Sequence, residues 1–183
     1  MTVLLAPALA GCTMDEVTGG SASRFLSGSV SVPVYKITTD GQGQQIGTLV
    51  LSDSRGGLRI EPALGGLTPG QHGLHVHDKG DCGPGMKDGK MAAGVAAGGH
   101  FDPAATGKHA GPNGDGHKGD LPALEVDNDG NATAMVQALH LSLNDVRGHA
   151  IVVHANGDNY SDQPKPLGGG GERIACGVVP GGA

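Results

Sequence analysis

The sequence predicts an all-β protein, an antiparallel sandwich or flattened barrel, and three observations support this prediction. Eight short apolar segments are separated by turn-forming residues along the 183-residue chain. Val30, Val32 and Val34 alternate with less apolar residues, a period of two that is typical of a half-buried strand. No segment carries the apolar stripe of a long helix, with its period of 3.6 residues. A chain of this length is most simply one domain.

The predicted strands follow one another between turn signals. Asp40-Gly41 and Asp129-Gly130 are typical of hairpin turns, and Gly56-Gly57 marks a further turn. The strands are predicted, in order, at residues 29–34, 45–51, 58–63, 73–77, 123–127, 132–139, 149–154 and 173–179. Two connections, residues 79–122 and 155–172, are long for a compact domain, so we expect them to serve a function and to be held by something.

Composition and charge exclude several classes of partner. The chain has no Trp, two Tyr and two Phe, so an aromatic platform that stacks nucleic-acid bases is not expected. The formal net charge of −6 also argues against a nucleic-acid backbone as a partner. No apolar run reaches the roughly 18 residues that a transmembrane helix requires.

The first residues resemble the end of a bacterial secretory signal. Residues 1–11 form an apolar run that ends in small residues, and Leu9-Ala10-Gly11-Cys12 resembles a lipobox. We therefore expect a signal-peptide remnant over 1–11, a lipidated Cys12 with a flexible tether over 12–27, and a folded domain over 28–183. The alternative is an apolar terminus with an incidental cysteine.

Three cysteines leave one pair when Cys12 is assigned to a lipid. Cys82 and Cys176 can then form a disulfide, because an exported chain reaches an oxidising compartment. Two free or metal-bound thiols are the alternative.

Histidines in and beside the two long connections are candidate metal ligands. His75 and His77 are two residues apart on a predicted strand, so both rings point to the same face. His154 ends another predicted strand. Four further candidates lie in the first connection: His100, His109, His117 and Asp120. They supply three nitrogens and one carboxylate, a complete tetrahedral set for zinc. The alternative is a flexible polar loop with solvated histidines.

Five motifs together resemble a known family. They are Gly73-Leu74-His75-Val76-His77, Gly98-Gly99-His100-Phe101, residues 108–121, Val153-His154-Ala155-Asn156-Gly157-Asp158-Asn159 and residues 168–179. On these motifs, residues 28–180 resemble the bacterial copper–zinc superoxide dismutases. The resemblance implies an eight-stranded Greek-key β-sandwich or flattened barrel with two long active-site loops. It also implies an enzyme that converts superoxide to oxygen and hydrogen peroxide by cycling Cu(II) and Cu(I).

The resemblance further implies a role for each candidate residue. Copper would be bound by four histidines: His75, His77, His100 and His154. Zinc would be bound by a set that shares the bridging His100: His100, His109, His117 and Asp120. Asp158 would link a copper-ligand histidine to a zinc-ligand histidine, and Cys82 would pair with Cys176. Catalysis would use Arg173 to hold the superoxide anion and His100 to supply a proton.

The remaining expectations concern location, assembly and the other histidines. Export to the periplasm or cell envelope is expected, with membrane attachment only through a lipid on Cys12. The resemblance also allows a homodimer. Lys165 is a weaker candidate than Arg173 for attracting superoxide. Three histidines are expected to bind no metal: His72 is expected to be a structural residue, and His140 and His149 are expected to be surface or strand-end residues.

Two other functions are weighed against the enzyme. One is a non-catalytic extracytoplasmic carrier of copper and zinc on the same fold, and loss of Arg173 or of a copper ligand would favour it. The other is a disordered histidine-rich tract that buffers metals, which predicts neither the Gly-Leu-His-Val-His strand nor a cysteine pair. Because these features are all present, the enzyme is preferred.

Overall fold

The computed structural model describes Met1 and residues 28–182, and this part of the chain is mostly antiparallel β-structure. Its strands are β1 (Val30–Thr38), β2 (Gly41–Ser54), β3 (Gly57–Leu64), β4 (Gly70–His72), β5 (Leu74–His77), β6 (Gly85–Lys87), β7 (Lys90–Ala92), β8 (Leu124–Val126), β9 (Val136–Ala138), β10 (Ala150–His154) and β11 (Arg173–Val178). Its helices are α1 (Leu143–Val146) and the 3-10 turns Val95–Ala97 and Leu167–Gly169. Cys12 and the predicted tether lie outside the described residues.

All eight predicted strands are present, and the structure adds three short ones. β4 precedes the predicted strand at 73–77, and β6 pairs with β7 inside the first long connection. Asp88 and Gly89, at the tip of that hairpin, have φ angles of 52° and 76°. Positive φ at both central residues is typical of the tight hairpin turn that Asp-Gly favours. The turn signal was therefore in the sequence, although its flanking strands lack apolar alternation.

Seven strands form one antiparallel sheet in the order β5-β10-β11-β1-β2-β3-β9. The last strand of the chain lies beside the first and the next two follow, which is the order of a Greek key. β4 pairs with β8 in a second, two-stranded sheet. Because only Gly73 separates β4 from β5, one extended segment joins the two sheets.

Alternation along the strands places one face of each strand in a common core. Four strands each contribute two fully buried side chains to this core: Val32, Val34, Leu49, Leu51, Leu58, Ile60, Leu74 and Val76. Burial of each such side chain stabilises the fold by about 1.5–3 kcal/mol relative to leaving it exposed. Since Leu74 and Val76 of β5 point into the core, the two residues that alternate with them must point away from it.

A smaller apolar cluster lies on the other side of the sheet and contains a disulfide. Cys82, in the first long connection, is bonded to Cys176 of β11, so the expected pairing is confirmed. Ala150 and Val152 of β10 pack in the same cluster. A disulfide that closes a loop of this length stabilises a fold by about 4–5 kcal/mol in the chain-entropy model. The first long connection is thereby fixed to the sheet.

Among the helices of residues 28–182, none is both long enough and apolar enough to span a bilayer.

Candidate metal centre

Two neighbouring strands carry three of the candidate ligands. β5 pairs with β10 with Val152 opposite His75, and His154 ends β10. His75 and His77 are fully buried, because the long connections cover the face of β5 that the core does not. His100 joins this group from the first connection, where it forms an isolated β-bridge with His77. Backbone pairing thus brings these histidine side chains together.

Four histidines form the first donor group: His75, His77, His100 and His154. Each can place a ring nitrogen within 4.8 Å of the others. Nδ1 of His77 donates to the carbonyl of Gly98 at 3.1 Å, and Nδ1 of His154 lies 3.4 Å from the carbonyl of Gly171. Within the described residues, Nε2 of both rings has no hydrogen-bond partner.

His75 has the opposite ring orientation. Its Nε2 donates to Oδ2 of Asp158 at 2.7 Å, and its buried Nδ1 has no hydrogen-bond partner in the described part of the chain. Leaving a polar nitrogen buried without a partner is costly, and binding a metal ion removes that cost. The first group therefore fits an ion that prefers imidazole nitrogen, as copper does.

A second donor group surrounds Asp120, which is fully buried. Oδ1 of Asp120 accepts from Nδ1 of His100 at 2.9 Å, and its Oδ2 lies 3.0 Å from Nδ1 of His109. Nδ1 of His117 is 3.3 Å from Oδ1 of the same carboxylate, and the His117 side chain is 10% exposed. Three nitrogens and one carboxylate fit tetrahedral zinc. His100 belongs to both groups through its two ring nitrogens.

His117 and His75 compete for the fourth place in this second group. The nitrogens of His75, His100 and His109 and an oxygen of Asp120 lie within 4.8 Å of one another, and His117 is not part of that set. His75, however, has one free ring nitrogen, because Asp158 takes the other. A single nitrogen serves one ion, so His75 fits the first group and leaves the fourth position of the second group to His117.

Asp158 connects the two groups from outside. Its Oδ2 accepts from His75 at 2.7 Å, and its Oδ1 accepts from Nε2 of His109 at 2.8 Å. Such a partner fixes the tautomer and orientation of each ring. Gly168 makes this arrangement possible, because a Cβ at that position would lie 1.9 Å from Oδ1 of Asp158. The sequence showed four consecutive glycines there without indicating which of them Asp158 requires.

Electrostatics differ between the two groups. Burial lowers the pKa of His75, lowers the pKa of His77 and His154 well below the ordinary value, and lowers that of His100 to about 4. These rings are therefore neutral near pH 7, which is the form that binds a metal.

In the second group, burial alone would lower the pKa of His109, but Asp120 and Asp158 outweigh burial and raise it to about 9. Burial alone would raise the pKa of both carboxyl groups. Hydrogen bonds from their histidine neighbours outweigh it and hold both pKa values well below the usual range. The second group thus contains a buried ion pair between His109 and Asp120, whereas the rings of the first group are neutral.

A cavity of about 840 Å³ leads from solvent to His100 and His154. Arg173 lines it, and two carbonyl groups of the first connection, those of Gly94 and Gly98, accept hydrogen bonds from its guanidinium group. The sequence did not indicate these two contacts, because backbone carbonyl groups leave no residue-type signal. Lys165 is not among the described residues that line the cavity.

The chain is similar in sequence to known proteins. Residues 45–179 match the family model described as copper/zinc superoxide dismutase (SODC). The chain is 51% identical over 172 residues to the Cu-Zn superoxide dismutase of Escherichia coli (strain K12), covering 93% of this chain and 96% of that protein. It is 49% identical over 152 residues to the enzyme of Brucella abortus, covering 82% and 88% respectively.

Solved structures agree with the sequence matches. The Cu/Zn superoxide dismutase from Brucella abortus aligns with a TM-score of 0.82 at 49% identity, covering 83% of this chain and 99% of that one. The monomeric copper, zinc superoxide dismutase from Salmonella enterica aligns at 0.75 and 54%, covering 83% and 99%. The chain therefore belongs to the copper/zinc superoxide dismutase family, and the expected all-β fold class is confirmed.

Proposed function

We propose that the chain is a copper–zinc superoxide dismutase, which converts two superoxide anions and two protons to oxygen and hydrogen peroxide. The observation that carries this function is the pair of buried donor groups that share His100, which lines one cavity together with His154. Copper supplies the one-electron change between Cu(II) and Cu(I), whereas zinc does not change its redox state.

The proposed copper ligands are the four histidines of the first group: His75 through Nδ1, and His77, His100 and His154 through Nε2. The proposed zinc ligands are His100, His109 and His117 through Nδ1, together with a carboxylate oxygen of Asp120. The unpartnered nitrogens of His75, His77 and His154 support the copper assignment. The contacts of three rings with Asp120 support the zinc assignment.

Arg173 and His100 are the proposed catalytic residues. Arg173 lines the cavity with a charge that is permanent near neutral pH, and the carbonyl groups of Gly94 and Gly98 fix its direction. It therefore binds and orients a small anion entering the cavity. His100 lines the same cavity, while Asp120 holds its Nδ1. Its Nε2 would be able to carry a proton to the product whenever that nitrogen is not bound to copper.

Metal depletion and reconstitution test this function. Dismutation should disappear when copper is removed, return when copper is added with zinc, and not return with zinc alone. Zinc content and the folded β-structure should be recorded in each sample. A folded, copper-loaded protein without dismutation above that of buffer would instead support the non-catalytic metal carrier, which the family assignment does not favour.

Export to the periplasm or cell envelope, with a lipid on Cys12, is the proposed location. The Cys82–Cys176 disulfide supports export, because such bonds persist in oxidising compartments. The proposal includes a signal-peptide remnant over residues 1–11, a lipidated cysteine with its tether over 12–27 and the folded domain over 28–183. With a complete signal supplied, the wild-type protein should enter the membrane fraction with a modified Cys12, and Cys12→Ser should either be released or remain as unprocessed precursor. Wholly soluble wild-type protein with an unmodified Cys12 would exclude the lipid.

A homodimer also stays a prediction, and sedimentation of the purified protein tests it. The structural relative from Salmonella enterica is described as monomeric.

A further inference from the structure

His149 contacts two segments that carry proposed copper ligands. It immediately precedes β10, and its Nδ1 lies 3.0 Å from the carbonyl oxygen of His77. Because a carbonyl oxygen only accepts, Nδ1 carries a proton and donates it. The His149 ring also packs on Phe101, with ring centroids 4.4 Å apart and planes inclined by 48°. Phe101 directly follows the bridging residue His100.

Backbone hydrogen bonds of Phe101 determine how the segment that carries His100 lies against β5. The amide of Phe101 donates to the carbonyl of Val76 at 2.8 Å, and its carbonyl accepts from Gly119 at 2.8 Å. The segment that carries His100 is therefore aligned along β5 by backbone hydrogen bonds. His149 adds a side-chain contact to each partner of this alignment, the β5 strand through His77 and the loop segment through Phe101.

His140 provides a contrast on the zinc side. It is exposed, and its Nε2 lies 3.2 Å from the carbonyl of Lys118, the residue after His117. It forms the same kind of bond as His149, from a ring nitrogen to a backbone carbonyl, but next to a proposed zinc ligand.

We propose that His149 is a positioning residue for the copper half of the site, and this inference depends on the proposed ligand assignment. By holding the carbonyl of His77 and the ring of Phe101, it fixes the separation between the strand that carries His77 and the segment that carries His100. The sequence had suggested only a surface or strand-end role. The contact with His77 and the packing of its ring against Phe101 assign it a place behind the proposed metal ligands.

Three variants of the metal-loaded protein test the proposal. His149→Phe keeps an aromatic ring against Phe101 but removes the donor to His77. His149→Asn keeps a donor near the position of Nδ1 but removes the ring. His140→Phe is the matched control, because it removes a ring-to-carbonyl hydrogen bond next to the zinc half.

The expected result is a change in the copper site of His149→Phe alone. Its Cu(II) electron paramagnetic resonance spectrum should shift, and its copper affinity should fall about tenfold, the lower end of the effect of removing partners that orient metal ligands. His149→Asn should recover most of the affinity, and His140→Phe should match wild type in both measurements. If His149→Phe does not fold, His149→Leu against His149→Asn gives the same contrast.

Other outcomes would overturn the proposal. A wild-type spectrum and copper affinity in the donor-free variant would exclude a positioning role, even if its melting temperature fell. An equal change in His140→Phe would show a general effect on the fold and would exclude the role as well. Dismutation is also measured for the wild-type protein prepared in the same way. Absence of that activity would count against the proposed function, whereas an unchanged copper spectrum and affinity in His149→Phe would count against the role of His149.

Discussion

The first donor group, proposed to bind copper, and the second, proposed to bind zinc, are built in different ways, and we call them the copper half and the zinc half. His75 and His77 lie on β5 and His154 ends β10, two paired strands whose other faces pack in the core. His109 and His117 lie in a connection with little regular structure, where Asp120 and Asp158 hold them. Strand pairing fixes three of the four rings of the copper half, whereas the two carboxylates around His109 fix the zinc half through an ion pair and hydrogen bonds. Loss of a residue should therefore have different consequences in the two halves.

Loss of a copper ligand should have the largest effect on activity and a small effect on the fold. His154→Ala removes a ring at the floor of the cavity, so the gap opens to solvent instead of leaving a sealed void. Removing the partners of a metal ligand costs 10–100-fold in affinity or activity, so we expect removal of the ligand itself to cost more than about 100-fold in dismutation.

Copper content, zinc content and the melting temperature measured together check this expectation. Zinc should stay near its wild-type content, and the melting temperature should change by no more than a few degrees. A large loss of both zinc and stability in His154→Ala would contradict the independence of the two halves.

Loss of Asp120 should have the largest effect on stability. Asp120→Ala leaves the buried His109 without one of its two carboxylate partners and removes a contact from His100 and His117. In the metal-free protein, where Nδ1 of His109 is not bound to zinc, breaking this buried ion pair by removing one partner costs about 3–5 kcal/mol. For a chain of this size, that corresponds to a fall in melting temperature on the order of 10 °C. Zinc affinity should fall in parallel, because the zinc group then lacks its carboxylate.

Asp115→Ala is the matched control for that change. Asp115 lies in the same connection, its side chain is 87% exposed, and it lies 3.6 Å from Lys108. Exposed pairs contribute about 0–1 kcal/mol, so this variant should keep its zinc and its melting temperature. Unchanged zinc content and melting temperature in Asp120→Ala would show that the zinc site has been misplaced.

The two halves also differ in how far the sequence predicts them. The pairing of His75 and His77 on one face follows from the period of a strand, and the structure places both rings where that period requires. Residue types in the first connection suggested zinc, but how Asp120 is shared among three rings depends on a loop path that spacing alone does not define. The family resemblance supplied the proposed roles of Asp158 and Arg173.

Contacts with backbone carbonyl groups were beyond sequence reasoning. Arg173 is held by Gly94 and Gly98, and His149 is held by His77, but every residue carries a carbonyl group and sequence does not mark the one that is used. The β6–β7 hairpin was missed for another reason. Its two strands lie inside the disulfide-fixed connection and have no buried apolar face, so the sequence shows no alternation of apolar and polar residues there.

Arg173 combines both kinds of support, since it lies on β11 but its guanidinium group is held by carbonyl groups of the first connection. Arg173→Ala should leave both metals bound and slow the reaction with superoxide about tenfold or more, within the range of 10–10³ for electrostatic steering. Its rate should also depend less on salt, because screening acts on the charge that has been removed. Arg173→Lys should recover part of the rate.

The second-order rate measured against ionic strength, with metal content from the same sample, checks the role of Arg173. Lys165→Ala is the control. Lys165 is not among the described residues that line the cavity, so this variant should keep a rate near that of wild type. A wild-type rate and salt dependence in a fully metal-loaded Arg173→Ala would mean that another cation guides the substrate.

The smallest expected effect on stability concerns the contact between α1 and residues 117–120, which we call the zinc segment. Lys118 lies between His117 and Asp120, and its Nζ is 2.8 Å from Oδ1 of Asp145. Asp145 also accepts from the amide and hydroxyl groups of Ser142, at 2.8 and 2.7 Å. Burial alone would raise the pKa of Asp145, but Lys118 and Ser142 outweigh it and lower the pKa to about 2 from the model-compound value of 3.8.

A carboxyl group whose pKa is lower in the folded state stabilises that state above the unfolded pKa and loses this effect as pH falls through the folded pKa. Asp145→Asn should therefore reduce the free energy of unfolding at pH 7, and its difference from wild type should shrink as pH falls from about 4 toward 2. Because the Asp145 side chain is 31% exposed, we expect about 1 kcal/mol, or 2–4 °C in melting temperature. Urea unfolding at pH 7, 4 and 3 measures the trend, and zinc content at pH 7 provides the comparison with Asp120→Ala. Asp120→Ala is expected to lose zinc, and Asp145→Asn is expected to keep it. Loss of zinc from Asp145→Asn would mean that the contacts with Asp120 are not sufficient to hold the zinc segment and that its ion pair with α1 is also required.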